Sequence, residues 1–271
     1  MSNLNNFGYK TVDRWSDDTR LLIAAVKNDS RPIEVGLYAG DDCFVEQFNN
    51  EIQGHDVSVY AHLDHRQVNF FKAPMVKRLL LDQISRCKSF GAQYAITHAA
   101  AYPLATRVSY QDKVIKRLAE CITFVNEVAE QSSFPIFLEN TFHDLDFYRK
   151  VFSIIVQQQC RHIHCCFDIG HAKIWSTRSL DNWIVFLSEL KAEGLSIHFH
   201  LHANSGVTDE HLSLQAADRK GYTVADEFTG DRNLFEAIEV IHITFPNSPK
   251  IFEVPPDQAS ENISLLMQRM T

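Results

Sequence analysis

The stretch SIHFHLHA, residues 196–203, carries a histidine at every second position with apolar residues between them. Successive side chains of a β-strand point to opposite faces, so His198, His200 and His202 would share one face while the apolar residues share the other. The pattern predicts a strand with one imidazole face. Three imidazoles on a buried face favour a bound divalent metal, because neutral imidazole is a common metal ligand. The alternative is three partly exposed histidines on an edge strand.

Strand and helix patterns alternate on both sides of this stretch. The predicted strands are residues 7–12, 33–39, 56–63, 92–99, 134–140, 162–168, 196–203 and 250–254. Helical periodicity separates them, and this alternation implies parallel strands joined by crossover helices. Eight such units in 271 residues predict an α/β fold, a (β/α)8 TIM barrel that forms a single domain over residues 1–271. A doubly wound open sheet is the alternative, although no GxGxxG turn follows the first strand.

The composition is that of an ordinary globular protein. Hydrophobic residues make up 45% of the chain, which is enough for a large core without disulfides or a structural metal. The six cysteines show no CxxC spacing and are expected to be reduced and mostly buried. The first residues lack a basic and apolar leader, and no apolar run has the length of a membrane span. We therefore expect a cytoplasmic protein with no membrane partner.

The net charge bears on possible partners. The formal charge is −8 at pH 7. Phosphate neutralisation favours a basic footprint, so this charge disfavours a nucleic-acid partner, although a metal nuclease with a local basic rim stays compatible with it. A small-molecule substrate is the expected partner. A homo-oligomer is left open.

Several predicted strands end on a residue that can bind metal. These residues are His62, His98, Glu139, Asp168, His200, His202 and Glu253. In a TIM barrel the carboxyl ends of the strands meet at one mouth, where the chemistry takes place. Mixed carboxylate and imidazole ligands suit Zn²⁺, Mn²⁺, Co²⁺ or Mg²⁺. Taken singly, each carboxylate could be a helix cap or an ion-pair partner, and each histidine a satisfied core residue.

Three further residues could join the same site. His171 lies three residues after Asp168 at a predicted strand-to-helix turn, so both can face one cavity. It would bind a second metal or a substrate oxygen. Asp209 and His211 lie two residues apart in a polar loop after the histidine strand and could close on the site.

Five short motifs occur in a recognisable order along the chain. They are FLENT (137–141), FDIGHA (167–172), HLHAN (200–204), TDEHL (208–212) and FEVP (252–255). Together they resemble the xylose-isomerase-like barrel superfamily. That superfamily contains sugar and sugar-phosphate isomerases, keto-sugar 3-epimerases, inosose dehydratases and endonuclease IV.

The resemblance implies a metal site and a reaction. Glu139, Asp168, His200 and Glu253 match the metal ligands of the isomerase and epimerase branch. In that branch the two glutamates also act as acid and base, while the metal stabilises an enediolate. His171 would hold a substrate hydroxyl. The implied function is isomerisation or epimerisation of a sugar or a related small polyhydroxy substrate with a divalent metal.

Two alternatives stay open. The endonuclease IV branch adds further ligands for a three-metal cluster, and the residues that could supply them here are His62 or His65, His98, His171, Asp209 and His211. This would make the chain a multi-metal phosphodiesterase or abasic-site endonuclease. Against it, the segment after Glu139 lacks the small glycine-containing continuation typical of that nuclease, and Glu210 stands where the nuclease has arginine. The other alternative is a barrel that has lost catalysis, since Ala203 replaces the family's aspartate and residues 213–216 lack its glycine.

A few other residues could contact a substrate. Arg107 and the pair Arg219–Lys220 could bind a phosphate or carboxylate, although solvated surface charge is the favoured interpretation. Trp175 and Tyr102 could wall a sugar pocket, and ordinary packing explains them equally well.

Overall fold

Eight strands alternate with helices along the part of the chain that the structure, a computed structural model, describes: residues 4–105 and 107–270. The strands are β1 (Phe7–Val12), β2 (Ile33–Gly36), β3 (Val59–His62), β4 (Ala95–His98), β5 (Ile136–Glu139), β6 (Ile163–Asp168), β7 (Ile197–Leu201) and β8 (Lys250–Phe252). The α-helices are α1 (Asp17–Asp29), α2 (Phe44–Ile52), α3 (Lys77–Ser89), α4 (Val108–Gln131), α5 (Leu145–Gln157), α6 (Ile169–Trp175), α7 (Leu180–Ala192), α8 (Leu214–Arg219), α9 (Leu234–Thr244) and α10 (Pro256–Met270). The prediction that the first residues form no leader sequence falls partly on residues 1–3, which lie outside the described ranges.

The strands close into a barrel. Each strand pairs in parallel with the next, and β8 pairs in parallel with β1. The predicted (β/α)8 TIM barrel is therefore confirmed, and the open-sheet alternative is wrong. The register places His98 beside Glu139 and Asp168 beside His200. That one domain extends over residues 1–271 stays a prediction.

Side-chain alternation along the strands separates two apolar regions. The larger lies between the barrel and its helices, where Trp183 of α7 packs against Phe167 of β6 with ring centroids 5.1 Å apart. The smaller lies inside the barrel and consists of Ile96, Phe137 and Cys166. Because this inner apolar layer is small, polar side chains occupy much of the rest of the barrel interior. All six cysteines are free and five are buried, as expected.

Local chain signals fix several helix ends. Ser16 caps α1 by accepting a hydrogen bond from Thr19 N. Asn233 begins α9 with a reciprocal capping box. Helix α6 starts directly after β6, at the turn that the sequence predicts around His171, although the bounds of this helix were not predicted. Its cap is Asp168, whose Oδ1 accepts from His171 N at 2.7 Å. This cap fixes the end of β6 and the start of α6 relative to each other.

None of the described helices is long and apolar enough to cross a membrane.

Candidate metal centre

Four candidate ligands meet at the carboxyl mouth of the barrel. Glu139 ends β5, Asp168 ends β6, His200 lies in β7, and Glu253 follows β8. One ligand atom from each lies within 4.8 Å of the others. His200 Nδ1 is 3.2 Å from Glu253 Oε1 and 3.5 Å from Glu139 Oε1. The structure thus brings together the four residues that the sequence indicated, and we call them the quartet.

Two atoms of the quartet are buried without a hydrogen-bond partner among the described residues. They are Asp168 Oδ2 and His200 Nδ1, which lie 4.0 Å apart. Leaving a buried polar atom unpaired costs about 1–3 kcal/mol. Metal–ligand bonds of about 2.0–2.2 Å to nitrogen and oxygen could span this separation. The unpaired atoms and the mixed carboxylate–imidazole donors therefore fit a divalent cation.

The charges around the quartet also favour a cation. Burial alone would raise the pKa of Glu139, but the imidazoles of His98 and His200 hold that pKa well below its usual range. Glu253 is buried too, and His200 and Lys10 keep its pKa well below the ordinary value. Burial would lower the pKa of His200, yet the carboxylates around it raise that pKa well above the ordinary value. The glutamates are ionised, and in the structure the positive charge opposite them comes from imidazoles and Lys10.

A histidine trio lies on the far side of Glu139. His62 Nε2 is 3.0 Å and His98 Nε2 is 3.3 Å from Glu139 Oε2. His65 stacks on His98 with ring centroids 4.0 Å apart. Burial, together with the neighbouring imidazoles of His98 and His62, lowers the pKa of His65 to about 3, so this ring is neutral. Both predicted ligands, His62 and His98, therefore adjoin the quartet, and His65 lies beside them.

A third group lies on the opposite side, above Asp168. His202 Nε2 is 3.1 Å from Asp168 Oδ1, and His171 Nε2 is 3.1 Å from Asp209 Oδ2. His211 Nε2 is 3.2 Å from Asp209 Oδ1. A Cβ at Gly170 would overlap the ring of His202, so glycine allows α6 to approach this closely. The predicted additional ligands His171, Asp209 and His211 thus come together, joined by His202.

Two residues inside the barrel are absent from the sequence-based predictions. Lys10 of β1 contacts Glu253 and lies 3.0 Å from Glu34 Oε1, and Glu34 of β2 lies 2.8 Å from His200 Nε2. Strand alternation could have revealed them. Both occupy inward positions, and Glu34 is the one acidic residue between the apolar residues Ile33 and Val35.

A cavity of about 450 Å³ opens above the quartet. Its walls combine polar groups with apolar ones such as Phe142, and none of the described arginines lines it. Arg107 and the pair Arg219–Lys220 lie outside this lining. Tyr102 and Trp175 do not line it either, although Trp175 packs edge-on against Phe142 with centroids 5.6 Å apart. None of these predicted substrate contacts therefore lies in the cavity wall. The tyrosine that does line the cavity is Tyr38.

The comparisons with known proteins agree with this architecture. The family described as xylose isomerase-like TIM barrel matches residues 2–267. No curated protein sequence matches significantly. A D-tagatose 3-epimerase-like protein is 17% identical, with a TM-score of 0.71 over 97% of this chain and 96% of that one.

Two other solved structures illustrate the range of the fold. The 3-keto-D-glucoside 4-epimerase YcjR from E. coli is 15% identical, with a TM-score of 0.63 over 97% of this chain and 99% of that one. The IolI protein with a bound zinc atom is 12% identical, with a TM-score of 0.62 over 97% of this chain and 96% of that one. At these identities the likeness establishes the fold.

Proposed function

The chain belongs to the xylose isomerase-like TIM barrel family, and from this premise we propose that it is a divalent-metal-dependent isomerase or epimerase of a sugar or related small polyhydroxy substrate. The observation that carries the proposal is the quartet, with its two unpaired buried atoms, Asp168 Oδ2 and His200 Nδ1. Three carboxylates and one imidazole at the inner end of a cavity with mixed polar and apolar walls fit a cation and a hydroxylated ligand together.

Glu139, Asp168, His200 and Glu253 would hold the metal. A divalent cation there would polarise the carbonyl and hydroxyl oxygens of the substrate as a Lewis acid. Zn²⁺, Mn²⁺, Co²⁺ and Mg²⁺ each accept such mixed nitrogen and oxygen donors.

Glu139 and Glu253 would move the proton. Both are buried and ionised, so each can accept a proton from the carbon beside the substrate carbonyl. One glutamate takes this proton as a carboxylate. The other delivers a proton to the opposite face or to the neighbouring carbon, and because it too is ionised it must first take up that proton from solvent. The substrate then leaves with its atoms and charge unchanged, as isomerisation or epimerisation requires.

His171 would position a substrate hydroxyl. Its Nδ1 lies 3.1 Å from Glu139 Oε1 and its Nε2 lies 3.1 Å from Asp209 Oδ2. The ring lines the cavity beside Glu139. A hydroxyl held here would place its carbon near the glutamate that exchanges the proton.

Two features of the comparisons support the reaction class. Solved structures with this fold include the 3-keto-D-glucoside 4-epimerase and the D-tagatose 3-epimerase-like protein. The bound zinc of the IolI structure supports a metal in this fold.

Deuterium exchange tests the proposal without knowledge of the product. The protein, loaded separately with each of the four metals, is incubated in D₂O with a panel of ketohexoses and inositol ketones, and proton NMR follows the carbon-bound hydrogens. Exchange beside the carbonyl of at least one compound is expected, and Asp168→Asn should abolish it. A protein that binds metal but exchanges no hydrogen across the panel would contradict the proposal and favour a barrel without catalysis.

A second candidate, metal-dependent phosphoester hydrolysis, rests on the two groups that flank the quartet. The trio His62, His65 and His98 and the group around Asp209 each offer ligand atoms within 4.8 Å of one another. Several adjacent metals suit phosphodiester cleavage, because one can activate water while another stabilises the leaving oxygen. Cleavage of an abasic-site DNA duplex, lost in His98→Ala, would favour this candidate. No cleavage with two or more metals bound would contradict it.

A further inference from the structure

Glu34 lies beneath the quartet and is completely buried. Three nitrogen atoms approach its two oxygens. Lys10 Nζ is 3.0 Å from Oε1, while His200 Nε2 at 2.8 Å and His198 Nε2 at 3.2 Å share Oε2. A buried carboxylate without partners would be strongly destabilising, so the three contacts explain how the barrel interior tolerates it.

The donors settle the direction of these contacts. The ammonium of Lys10 can only donate, and a carboxylate surrounded by donors accepts. His200 therefore directs its Nε2–H group at Glu34. His198 Nε2 approaches the same oxygen at 3.2 Å without forming a hydrogen bond. The other nitrogen of His198, Nδ1, lies 2.7 Å from the hydroxyl of Tyr94.

One consequence concerns the metal ligand. With Nε2–H of His200 held by Glu34, the nitrogen that faces Glu139, Asp168 and Glu253 is Nδ1. A histidine that binds metal through one nitrogen commonly donates its other N–H to a carboxylate, which fixes the ring orientation and strengthens the ligand. Glu34 is placed for this role.

A second contact reaches another ligand. Lys10 bridges the carboxylates of Glu34 and Glu253. Glu34 therefore holds His200 directly and Glu253 through Lys10. Two of the four quartet residues depend on its position.

We propose that Glu34 is a positioning residue for the metal site, which sets the orientation of His200 and, through Lys10, of Glu253, and so raises the affinity of the quartet for a divalent cation. This inference rests on the proposed function only in requiring that the quartet binds metal. Glu34 does not line the cavity and is not one of the quartet, so its effect is on ligand geometry.

Metal affinity of the purified full chain tests the inference. Calorimetric titration with Zn²⁺ and with Mn²⁺ compares the wild type with Glu34→Gln, which keeps the shape of the side chain and removes its charge. We expect binding to weaken at least about ten-fold, the usual effect of losing such a partner. Tyr94→Phe removes the hydroxyl beside His198 Nδ1, which belongs to no quartet residue, and should weaken binding less. Thermal unfolding of the metal-free proteins shows whether each variant folds.

A matched control separates positioning from general loosening of the barrel. Asp13 is also completely buried, but its carboxylate accepts from Ala39 N at 2.7 Å and from Arg86 Nε at 3.0 Å, away from the quartet. Asp13→Asn should leave the metal affinity unchanged even if it lowers stability. If Glu34→Gln does not fold, Glu34→Asp is the substitute. It keeps the negative charge but moves the carboxylate away from His200, so the same loss of metal affinity is expected.

The outcomes are distinct. Wild-type affinity in a folded Glu34 variant would overturn the inference and leave the proposed function intact. Equal weakening in Asp13→Asn would overturn it as well, since the effect would then be general. A wild-type protein that binds no metal would overturn both the inference and the proposed function.

Discussion

The imidazole rings of His202 and His211 lie face to face, with centroids 4.0 Å apart and planes 6° apart. The two residues come together because Ala203 and Leu212, each next to one of them, exchange two backbone hydrogen bonds of 2.9 and 2.8 Å. The loop after β7 thus folds back over Asp168. It forms a group that adjoins the quartet without being part of it.

This separation predicts a specific effect of His211 on metal content. His211→Ala should keep one tightly bound equivalent of metal, because its ring nitrogens contact Asp209 and the backbone of Glu253, while the four quartet side chains stay in place. Elemental analysis after dialysis measures the equivalents, and the exposed His55→Ala serves as the control. Two or more equivalents in the wild type, with the excess lost in His211→Ala, would contradict a single-metal isomerase and favour the hydrolase.

Glu253 is expected to be indispensable for turnover. Glu253→Ala should reduce deuterium exchange or turnover by at least about a hundred-fold, since it removes a proton-transferring group and a metal ligand, while circular dichroism shows an intact fold. Glu261→Ala, on the exposed side of α10, is the control and should retain activity. Turnover at the wild-type rate in Glu253→Ala would show that the assigned role is wrong.

The packing of α7 on the barrel gives a stability prediction. Trp183 is 1% exposed and packs on Phe167 and Tyr148. Trp183→Ala should lower the free energy of unfolding by about 3–5 kcal/mol through loss of burial and creation of a cavity. Val185 lies on the same helix but is 53% exposed, so Val185→Ala should change that energy by at most about 0.5 kcal/mol. Denaturant titration compares the two, and similar effects would contradict the packing described.

Lys250 predicts a pH dependence of stability. Its ammonium donates to the carbonyls of Phe245 and Ser248 at 2.7 and 2.8 Å, inside the layer between barrel and helices. Burial, with a smaller effect of Lys191, lowers its pKa to about 7. Between pH 7 and the ordinary lysine pKa, the unfolded chain binds more protons than the folded one, so stability rises with pH.

For Lys250 alone, the free energy of unfolding should rise by about 2 kcal/mol from pH 7 to pH 9. Lys250→Met removes the titrating group, and comparison of the two proteins cancels the groups they share. Urea unfolding at several pH values measures the difference. A difference between wild type and variant that does not change with pH would show that Lys250 is charged in the folded protein throughout the range.

The fold could be predicted because its signal is spread over the whole chain. Each of the eight strand patterns was correct in place and order, although most strands are shorter than predicted, as for residues 33–39 against β2, Ile33–Gly36. Apolar residues that flank a strand continue the sequence pattern after the backbone pairing has ended. The short helix α8 (Leu214–Arg219) was missed because six residues give too little periodicity.

The candidate site could be predicted where a ligand ends a strand. Glu139 and Asp168 are the last residues of β5 and β6, so their position at the mouth follows from the fold. Glu34 and Lys10 lie within strands, where a charged residue ordinarily indicates a face exposed to solvent. Strand alternation places both on one face of the sheet, and the closure of the barrel turns that face inward against His200.

The metal content of the chain tests the central claim most directly. The protein is purified without a metal-binding tag, loaded with a divalent metal and then dialysed against metal-free buffer. The wild type should retain one equivalent of a divalent metal per chain, and Asp168→Asn should retain none while remaining folded. A wild type that takes up no metal, or an Asp168→Asn variant that holds as much as the wild type, would contradict a metal site built on the quartet.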